Sequence, residues 1–357
     1  MSNYERLSIS DDLQKKVQEM SLPDELGFGL VRTPVMAISK FSNGSWSKPV
    51  LQPWEPIELD PSAKVLHYGQ AIFEGMKAYK KEGGDPVLFR PLENFKRFNF
   101  SAKRMAMPEI DEQTFMSSVE SIVACQKNLI PTNPGESLYL RPFMVASGLG
   151  IGLAPSTEYL FMVIASPSGS YFAADKVSVL IERNDCRAAP GGTGAAKAAG
   201  NYGGSIKSAM KAKSLGYHQT IWLDASTHKN IEELSGMNFF ALVKGELYTP
   251  KLTDSILAGI TRDSLIKLAQ REGIKVHEVT LGIDDLISKI KDGSCTEMFA
   301  CGTAAVITPI SELGEEGGER YACEHAYGPI SKMLREKLTG IQEKGEDAPE
   351  GWVNIIK

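Results

Sequence analysis

The chain has 357 residues, 42% of them hydrophobic and 23% charged, with a formal net charge of -5. That length predicts about two domains and a core large enough to need no disulfide staples. The acidic balance and the lack of a dense Lys/Arg run exclude nucleic acid and an anionic membrane surface as expected partners. Met1 to Leu22 is polar and carries no apolar h-region, so no secretory signal is expected. The five cysteines, at 125, 186, 295, 301 and 323, include no CxxC pair. They predict reduced thiols and a cytoplasmic location rather than a disulfide framework or a zinc ribbon.

In chain order, Pro34 to Phe41, Gln70 to Tyr79 and Val87 to Arg90 read as strands. Glu93 to Arg104 reads as a helix with Phe95, Phe98 and Ala102 on one face. Asp111 to Leu129 is a second helix with Asp111 as its N-cap. Ser137 to Ala146 and Tyr159 to Ala165 are strand-like. The second is the longest apolar run and falls far short of a membrane span. Ser166-Pro167-Ser168-Gly169-Ser170 is a cluster of breakers, followed by a strand at Val177 to Glu182. The expected organisation is therefore a smaller N-terminal α/β domain (1–166), a linker (167–179) and a larger C-terminal domain (180–357). Beyond the linker, Asn201 to Leu215 is helical and stops at Gly216, and Gln219 to Leu223 and Phe239 to Val243 are strands. Thr261 to Glu272 is a helix with Thr261 as N-cap and Gly273 as stop. Asp284 to Ile290 is a short helix, and Thr296 to Pro309 reads as strand, glycine turn, strand. No repeat or low-complexity segment is present.

The segment from Gly191 to Gly204, GGTGAAKAAGNYGG, is small and glycine-rich around one lysine. A phosphate-cradling P-loop needs glycine before its lysine and Ser/Thr after it; Ala196 and Ala198 occupy those places. The dinucleotide fingerprint also fails, because Leu153 stands where the third glycine of Gly148-Leu149-Gly150-Ile151-Gly152 belongs. A lysine among Gly and Ala leaves room for an aromatic ring beside its stem. Partial desolvation and a nearby cation favour the neutral, nucleophilic amine that a Schiff base requires. An ordinary solvated loop lysine fits the segment alone as well. The five histidines show no paired metal-ligand spacing, so no metal is expected. No G-x-S-x-G elbow is present.

The segment GGTGAAKAAGNYGGS closely resembles the cofactor-lysine segment of branched-chain aminotransferases, pyridoxal-phosphate enzymes of fold type IV. LHYGQAIFEGMKAY, VLFRPLENFKRFNFSAKRM, SLYLRPFM, EELSGMNFF, SILAGITRDSL and EMFACGTAAVITPI resemble the same family in the same order, over roughly residues 26 to 330. The resemblance implies an α/β fold of two mixed domains with pyridoxal 5'-phosphate in the cleft between them, and the C-terminal domain as the cofactor-binding one. The implied reaction is reversible, ping-pong transfer of the amino group of L-leucine, L-isoleucine or L-valine to 2-oxoglutarate.

On that resemblance Lys197 would form the internal aldimine and shuttle the proton. Tyr202 would hydrogen-bond the cofactor's phenolic oxygen. Glu233 would face the pyridine nitrogen, with Glu232 as the competing assignment. Glu233 is preferred because the family places its glutamate five positions before the asparagine, here Asn238. Arg90 would grip the phosphate bidentately, with the amides of Ile260 and Thr261 at a helix start and the hydroxyl of Thr303. Phe28, Tyr68, Phe73, Tyr139 and Tyr171 would line the substrate pocket, and Arg141 would pair with the γ-carboxylate of glutamate. The amides of Thr303 and Ala304 would hold the α-carboxylate. Ile151 and Leu153 match positions that reach the partner subunit's pocket, which implies a homodimer.

Two departures stand out. Mammalian members carry a redox CxxC after the Gly-Thr-Ala turn; Ala305 and Thr308 occupy those places, so that thiol switch is expected to be absent. Gly236 replaces the threonine before the Met-Asn pair, as in bacterial members. A D-amino acid transaminase or an aminodeoxychorismate lyase of the same fold is the alternative enzyme. A non-catalytic binding protein is the alternative of another class.

Overall fold

The structure is a computed structural model that describes residues 4–169 and 176–357. The chain divides into two compact units, Met1–Tyr171 with Ala196–Ala199 and Gly340–Lys357, and Phe172–Ala195 with Gly200–Thr339. Each is mixed α/β and carries its own sheet, of nine strands among the described residues.

In the first unit the sheet runs Val353–Ile355, Val87–Phe89, Met76–Tyr79, Ser137–Ala146, Tyr159–Ser168, Val35–Ser42, Ser45–Trp46, and its neighbours are antiparallel. Alternation along Ser137–Ala146 decides which face each residue serves. Leu138, Leu140, Met144 and Ala146 are fully buried in one core. Phe98 and Ala102 of helix Pro91–Arg104, and Phe115, Met116 and Val119 of helix Glu112–Cys125, share that core. Tyr139 and Arg141, the odd positions, point to the other face. Asp111 caps the second helix by accepting from the Thr114 amide at 2.8 Å, as its position before the apolar run requires.

The expected strand from Gln70 to Tyr79 is two pieces, Ala71–Phe73 and Met76–Tyr79. Both pair with Ser137–Ala146, and Pro142 lies opposite the gap. Proline has no amide to give the ladder, so only the Glu74 amide bonds across, to the Pro142 carbonyl at 2.7 Å. The Glu74 side chain is fully buried and meets the Arg97 Nε at 2.7 Å. Asn94 Nδ2 donates to its other oxygen at 2.8 Å. Burial alone would raise the Glu74 carboxyl, but the Arg97 guanidinium, the Lys197 charge and Asn94 hold it below its ordinary range. A depressed carboxyl stabilises the fold above its unfolded pKa of about 4.3 and loses that contribution as the pH falls. Arg97→Met strands a buried carboxylate and is expected to cost about 3–5 kcal/mol in urea unfolding at neutral pH. The deficit should narrow in acid, where Glu74 takes a proton; a deficit independent of pH would contradict this.

In the second unit the sheet runs Ile231–Leu234, Gln219–Leu223, Val177–Glu182, Val306–Gly314, Cys295–Gly302, Asn238–Val243, Glu246–Pro250, Val276–Val279. Val177–Glu182 is parallel to both its neighbours, and Glu246–Pro250 is parallel to Val276–Val279. Phe239, Ala241, Met298, Ala300 and Ile310 are buried with Ile283, Leu286 and Ile287 of helix Ile283–Lys291.

The helix expected over Asp111 to Leu129 ends at Cys125, followed by a separate 3-10 turn at Lys127–Leu129, and the structure departs from expectation at further places. Strand Tyr159–Ser168 runs through Ser166 and Pro167, which pair with Tyr139 and Leu138, so the breaker cluster opens inside a strand rather than in a linker. The C-terminal residues 340–357 lie in the first unit rather than with the rest of 180–357, because Val353–Ile355 adds to the edge strand Val87–Phe89. The single helix expected over Asn201 to Leu215 is two, Ala199–Gly203 and Ile206–Ser214. It breaks at the Gly203-Gly204 pair, where the backbone is least committed to helix. Thr261 is not an N-cap: helix Ile260–Arg271 is capped by Gly259, which offers no side-chain hydrogen bond.

Candidate functional site

Lys197 belongs to the first unit, although the chain on both sides of 196–199 belongs to the second. Backbone bonds hold it there. The Phe73 amide donates to the Lys197 carbonyl at 3.1 Å, and Ile72 forms a β-bridge with Ala198. The Lys197 amide donates to Ser101 Oγ at 2.9 Å. None of these contacts uses the side chain, which extends with Nζ 4.8 Å from the centre of the Phe73 ring.

The Phe73 ring carries a second cation, the Arg141 guanidinium, at 4.7 Å. Arg141 also lies 5.4 Å from the centre of the Tyr139 ring and donates to the Tyr139 hydroxyl at 3.1 Å. Its Nε is buried with no hydrogen-bond partner among the described residues. Phe28 packs edge-on to Tyr139 at 4.9 Å between ring centres. The structure thus links four predicted residues, Phe28, Tyr139, Arg141 and Phe73, in a chain of contacts that ends on the ring beside the Lys197 amine. Gly75 makes this possible: a Cβ there would lie 2.1 Å from the Tyr139 oxygen.

Tyr68 is 39% exposed and donates to the carbonyl of Ile151. Lys64 Nζ donates to the Gly152 carbonyl at 2.7 Å and holds the same loop. On that loop Ile151 and Leu153 are 73% and 86% exposed. Arg90, 7% exposed, ends strand Val87–Phe89 in the left-handed region at φ 48°. Tyr171 lies outside the described residues.

The second unit assembles the other predicted residues. Asn238 pairs with Cys301 in the ladder, which puts the Gly302-Thr303-Ala304 turn beside the turn before Met237. A Cβ on Gly302 would stand 3.4 Å from Met237 and 3.5 Å from the Gly236 carbonyl. Gly236 has φ +100°, a conformation that favours glycine, which accounts for the missing threonine. A Cβ there would meet the Tyr202 ring at 3.6 Å, so Tyr202 abuts this turn.

Glu232 and Glu233 are both buried, on opposite faces of strand Ile231–Leu234. Glu233 accepts from Asn238 Nδ2 at 3.1 Å and from the Leu257 amide at 3.2 Å, and pairs with Arg187 at 2.9 Å. Donors and a cation favour the charged carboxylate. Glu232 accepts from the Ser255 hydroxyl, and its other oxygen has no partner among the described residues. Burial raises its carboxyl. Asn238 also bonds the Leu257 carbonyl at 3.0 Å. A Cβ at Gly259 would fall 1.9 Å from Asn238 Oδ1, so the Glu233 contacts and the entrance to helix Ile260–Arg271 are packed as one piece.

Each unit by itself carries groups of the kind a phosphorylated aromatic aldehyde would need. The 12-residue helix Ile260–Arg271 presents the Ile260 and Thr261 amides with no capping side chain, an anion-binding arrangement. In the first unit Arg90 carries a buried guanidinium and Lys197 an amine; in the second, Glu233 carries a buried carboxylate held by Arg187 and Asn238. Sequence reasoning missed Arg187, Ser101 and Arg97, which hold Glu233, the Lys197 backbone and Glu74 respectively. Among the described residues no group of three or more His, Cys, Asp or Glu is placed to hold a metal ion, and no helix is long and apolar enough to cross a membrane.

The model of the family described as amino-transferase class IV matches residues 71–313. Branched-chain-amino-acid transaminase 1 of Bacillus subtilis is 42% identical over 334 residues, covering 92% of this chain and 94% of that protein. Among solved structures, the branched-chain amino acid aminotransferase of Escherichia coli superposes with a TM-score of 0.72 at 31% identity, covering 89% of this chain and 99% of that one. A branched-chain amino acid aminotransferase of T.th., complexed with N-(5'-phosphopyridoxyl)-L-glutamate, gives 0.69 at 28% identity, covering 89% and 98%.

Proposed function

The chain belongs to the class IV aminotransferase family, and from that premise we propose that it is a branched-chain-amino-acid transaminase working with pyridoxal 5'-phosphate. The observation that carries the substrate assignment is the Arg141–Phe73–Lys197 arrangement. Aromatic rings give a wall against which an aliphatic side chain loses water. The buried Arg141 with an unpartnered Nε can take a γ-carboxylate in the other half-reaction. One pocket therefore serves L-leucine, L-isoleucine or L-valine in one direction and glutamate in the other.

The cofactor supplies an electron sink that lets a proton leave the substrate α-carbon. Lys197 Nζ would hold the cofactor and would carry the proton to and from the substrate α-carbon. Glu233 would face the ring nitrogen, held in place by Arg187 and Asn238. Tyr202 would donate to the phenolic oxygen. Arg90, the Ile260 and Thr261 amides and the Thr303 hydroxyl would hold the phosphate. The Thr303 and Ala304 amides would hold the substrate α-carboxylate. Tyr68 would complete the pocket.

The working form is a homodimer in which Ile151 and Leu153 enter the partner's pocket. Their exposure, with Leu149 at 64% on the same loop, supports this, since such a run of aliphatic side chains is rarely left in water. The free cysteines support a cytoplasmic location.

A panel of amino donors with 2-oxoglutarate as acceptor tests the assignment. L-Leucine, L-isoleucine and L-valine are expected to lead, within about tenfold of one another, since one methylene discriminates only modestly in an apolar pocket. Faster transamination of D-alanine than of L-leucine would replace it with a D-amino acid transaminase.

A further inference from the structure

Arg90 and Trp352 are far apart in sequence but touch in the first unit. The Arg90 guanidinium lies 4.8 Å from the centre of the Trp352 ring. The Arg90 amide donates to the Trp352 carbonyl at 2.8 Å. Both residues are 7% exposed. The contact is built by the chain's end: Val353 pairs with Phe89 where Val353–Ile355 joins the sheet edge. Phe89 meets the same indole edge-on at 5.6 Å.

We propose that Trp352 is a positioning residue that orders Arg90 for the cofactor's phosphate, so that the C-terminal segment sets how tightly the phosphate is held. The proposal rests on the assignment of Arg90 to the phosphate and names what presents it. A free arginine side chain samples many rotamers, and a bidentate grip on phosphate requires one orientation. An indole face attracts the guanidinium and limits that sampling without neutralising its charge, as a carboxylate partner would. The left-handed backbone at Arg90 aims the side chain, and the Trp352 carbonyl holds that backbone. Substituting the Trp352 side chain leaves the carbonyl in place, so it removes the ring contact alone.

The test compares binding of pyridoxal 5'-phosphate with pyridoxal, which lacks the phosphate, to full-length protein stripped of cofactor, with the apoprotein melting temperature measured alongside. Arg90→Met is expected to weaken the phosphate ester and leave pyridoxal unchanged; equal loss of both would remove Arg90 from the phosphate and with it the premise. If Arg90→Met is selective, Trp352→Leu should weaken pyridoxal 5'-phosphate by roughly five- to thirtyfold and pyridoxal by less than twofold. Trp352→Phe, which keeps a weaker aromatic face, should fall between Trp352→Leu and wild type. Inorganic phosphate alone should bind the stripped protein more weakly in both Trp352 variants. Equal loss of the two ligands in Trp352→Leu, or no loss, overturns the positioning role while leaving Arg90 its own. If Trp352→Leu does not fold, a wild-type ratio of the two affinities in Trp352→Phe overturns it equally.

Discussion

Lys197→Ala is expected to lower transamination of L-leucine by about ten-thousandfold or more, the upper range for removing a positioned proton-transfer group, since the same substitution also removes the nucleophile. It should also abolish the near-ultraviolet to violet absorbance of covalently held cofactor. The fold should survive, because the contacts that fix this segment are made by backbone. The Phe73 amide, the Ile72–Ala198 bridge and the Ser101 hydroxyl all bind main-chain atoms. The melting temperature should fall only by what the Lys197 charge contributes beside buried Glu74, while activity disappears. Lys197→Arg should fail equally, since a guanidinium stays protonated and cannot attack a carbonyl. Residual activity above a few percent in either variant, with the absorbance retained, would move the covalent role to another lysine.

The second large effect separates two adjacent carboxylates. Glu233→Gln is expected to lower kcat on the order of 10²–10³-fold, the range for losing one preorganised electrostatic partner. Glu232→Gln should cost less than about tenfold. The two stand on opposite faces of one strand and differ in company. Glu233 is met by Arg187, Asn238 and the Leu257 amide, all of which stabilise a negative charge. The carboxyl of Glu232 is pushed up by burial and bonded on one oxygen by Ser255. Arg187→Met should reproduce part of the Glu233→Gln loss, because it leaves the carboxylate without its cation. The measurement is kcat with saturating L-leucine and 2-oxoglutarate; a larger loss in Glu232→Gln than in Glu233→Gln would reverse the assignment.

Much of this arrangement is legible in the chain. Strands Ser137–Ala146, Val177–Glu182 and Gln219–Leu223 follow from their apolar patterns alone, to the residue. The hairpin around Gly302 and Thr303 follows from strand, glycine and strand. What the sequence hides is long-range. Helix Asp11–Glu19 buries only Leu13 and Val17, too sparse a stripe to stand out of a polar N-terminus. Pro142 interrupts its neighbour across the sheet, an effect no local window holds. Arg187 finds Glu233, and Trp352 finds Arg90, only when strands pair, and Ser101 looks like any neutral residue on a helix. The placement of Lys197 in the first unit is of the same kind. Its glycine-rich segment marks it as special, but the Phe73 strand and Ser101 decide where it is held.

The most direct test of the whole account is a single-turnover half-reaction. Purified enzyme loaded with pyridoxal 5'-phosphate is mixed with L-leucine in the absence of any acceptor acid, and 4-methyl-2-oxopentanoate is quantified by mass. A branched-chain transaminase that stores the amino group between half-reactions should release one equivalent of the oxo acid per chain and then stop. Adding 2-oxoglutarate should restart it with formation of glutamate. No oxo acid without an acceptor, or a yield unrelated to the amount of enzyme, would contradict the account.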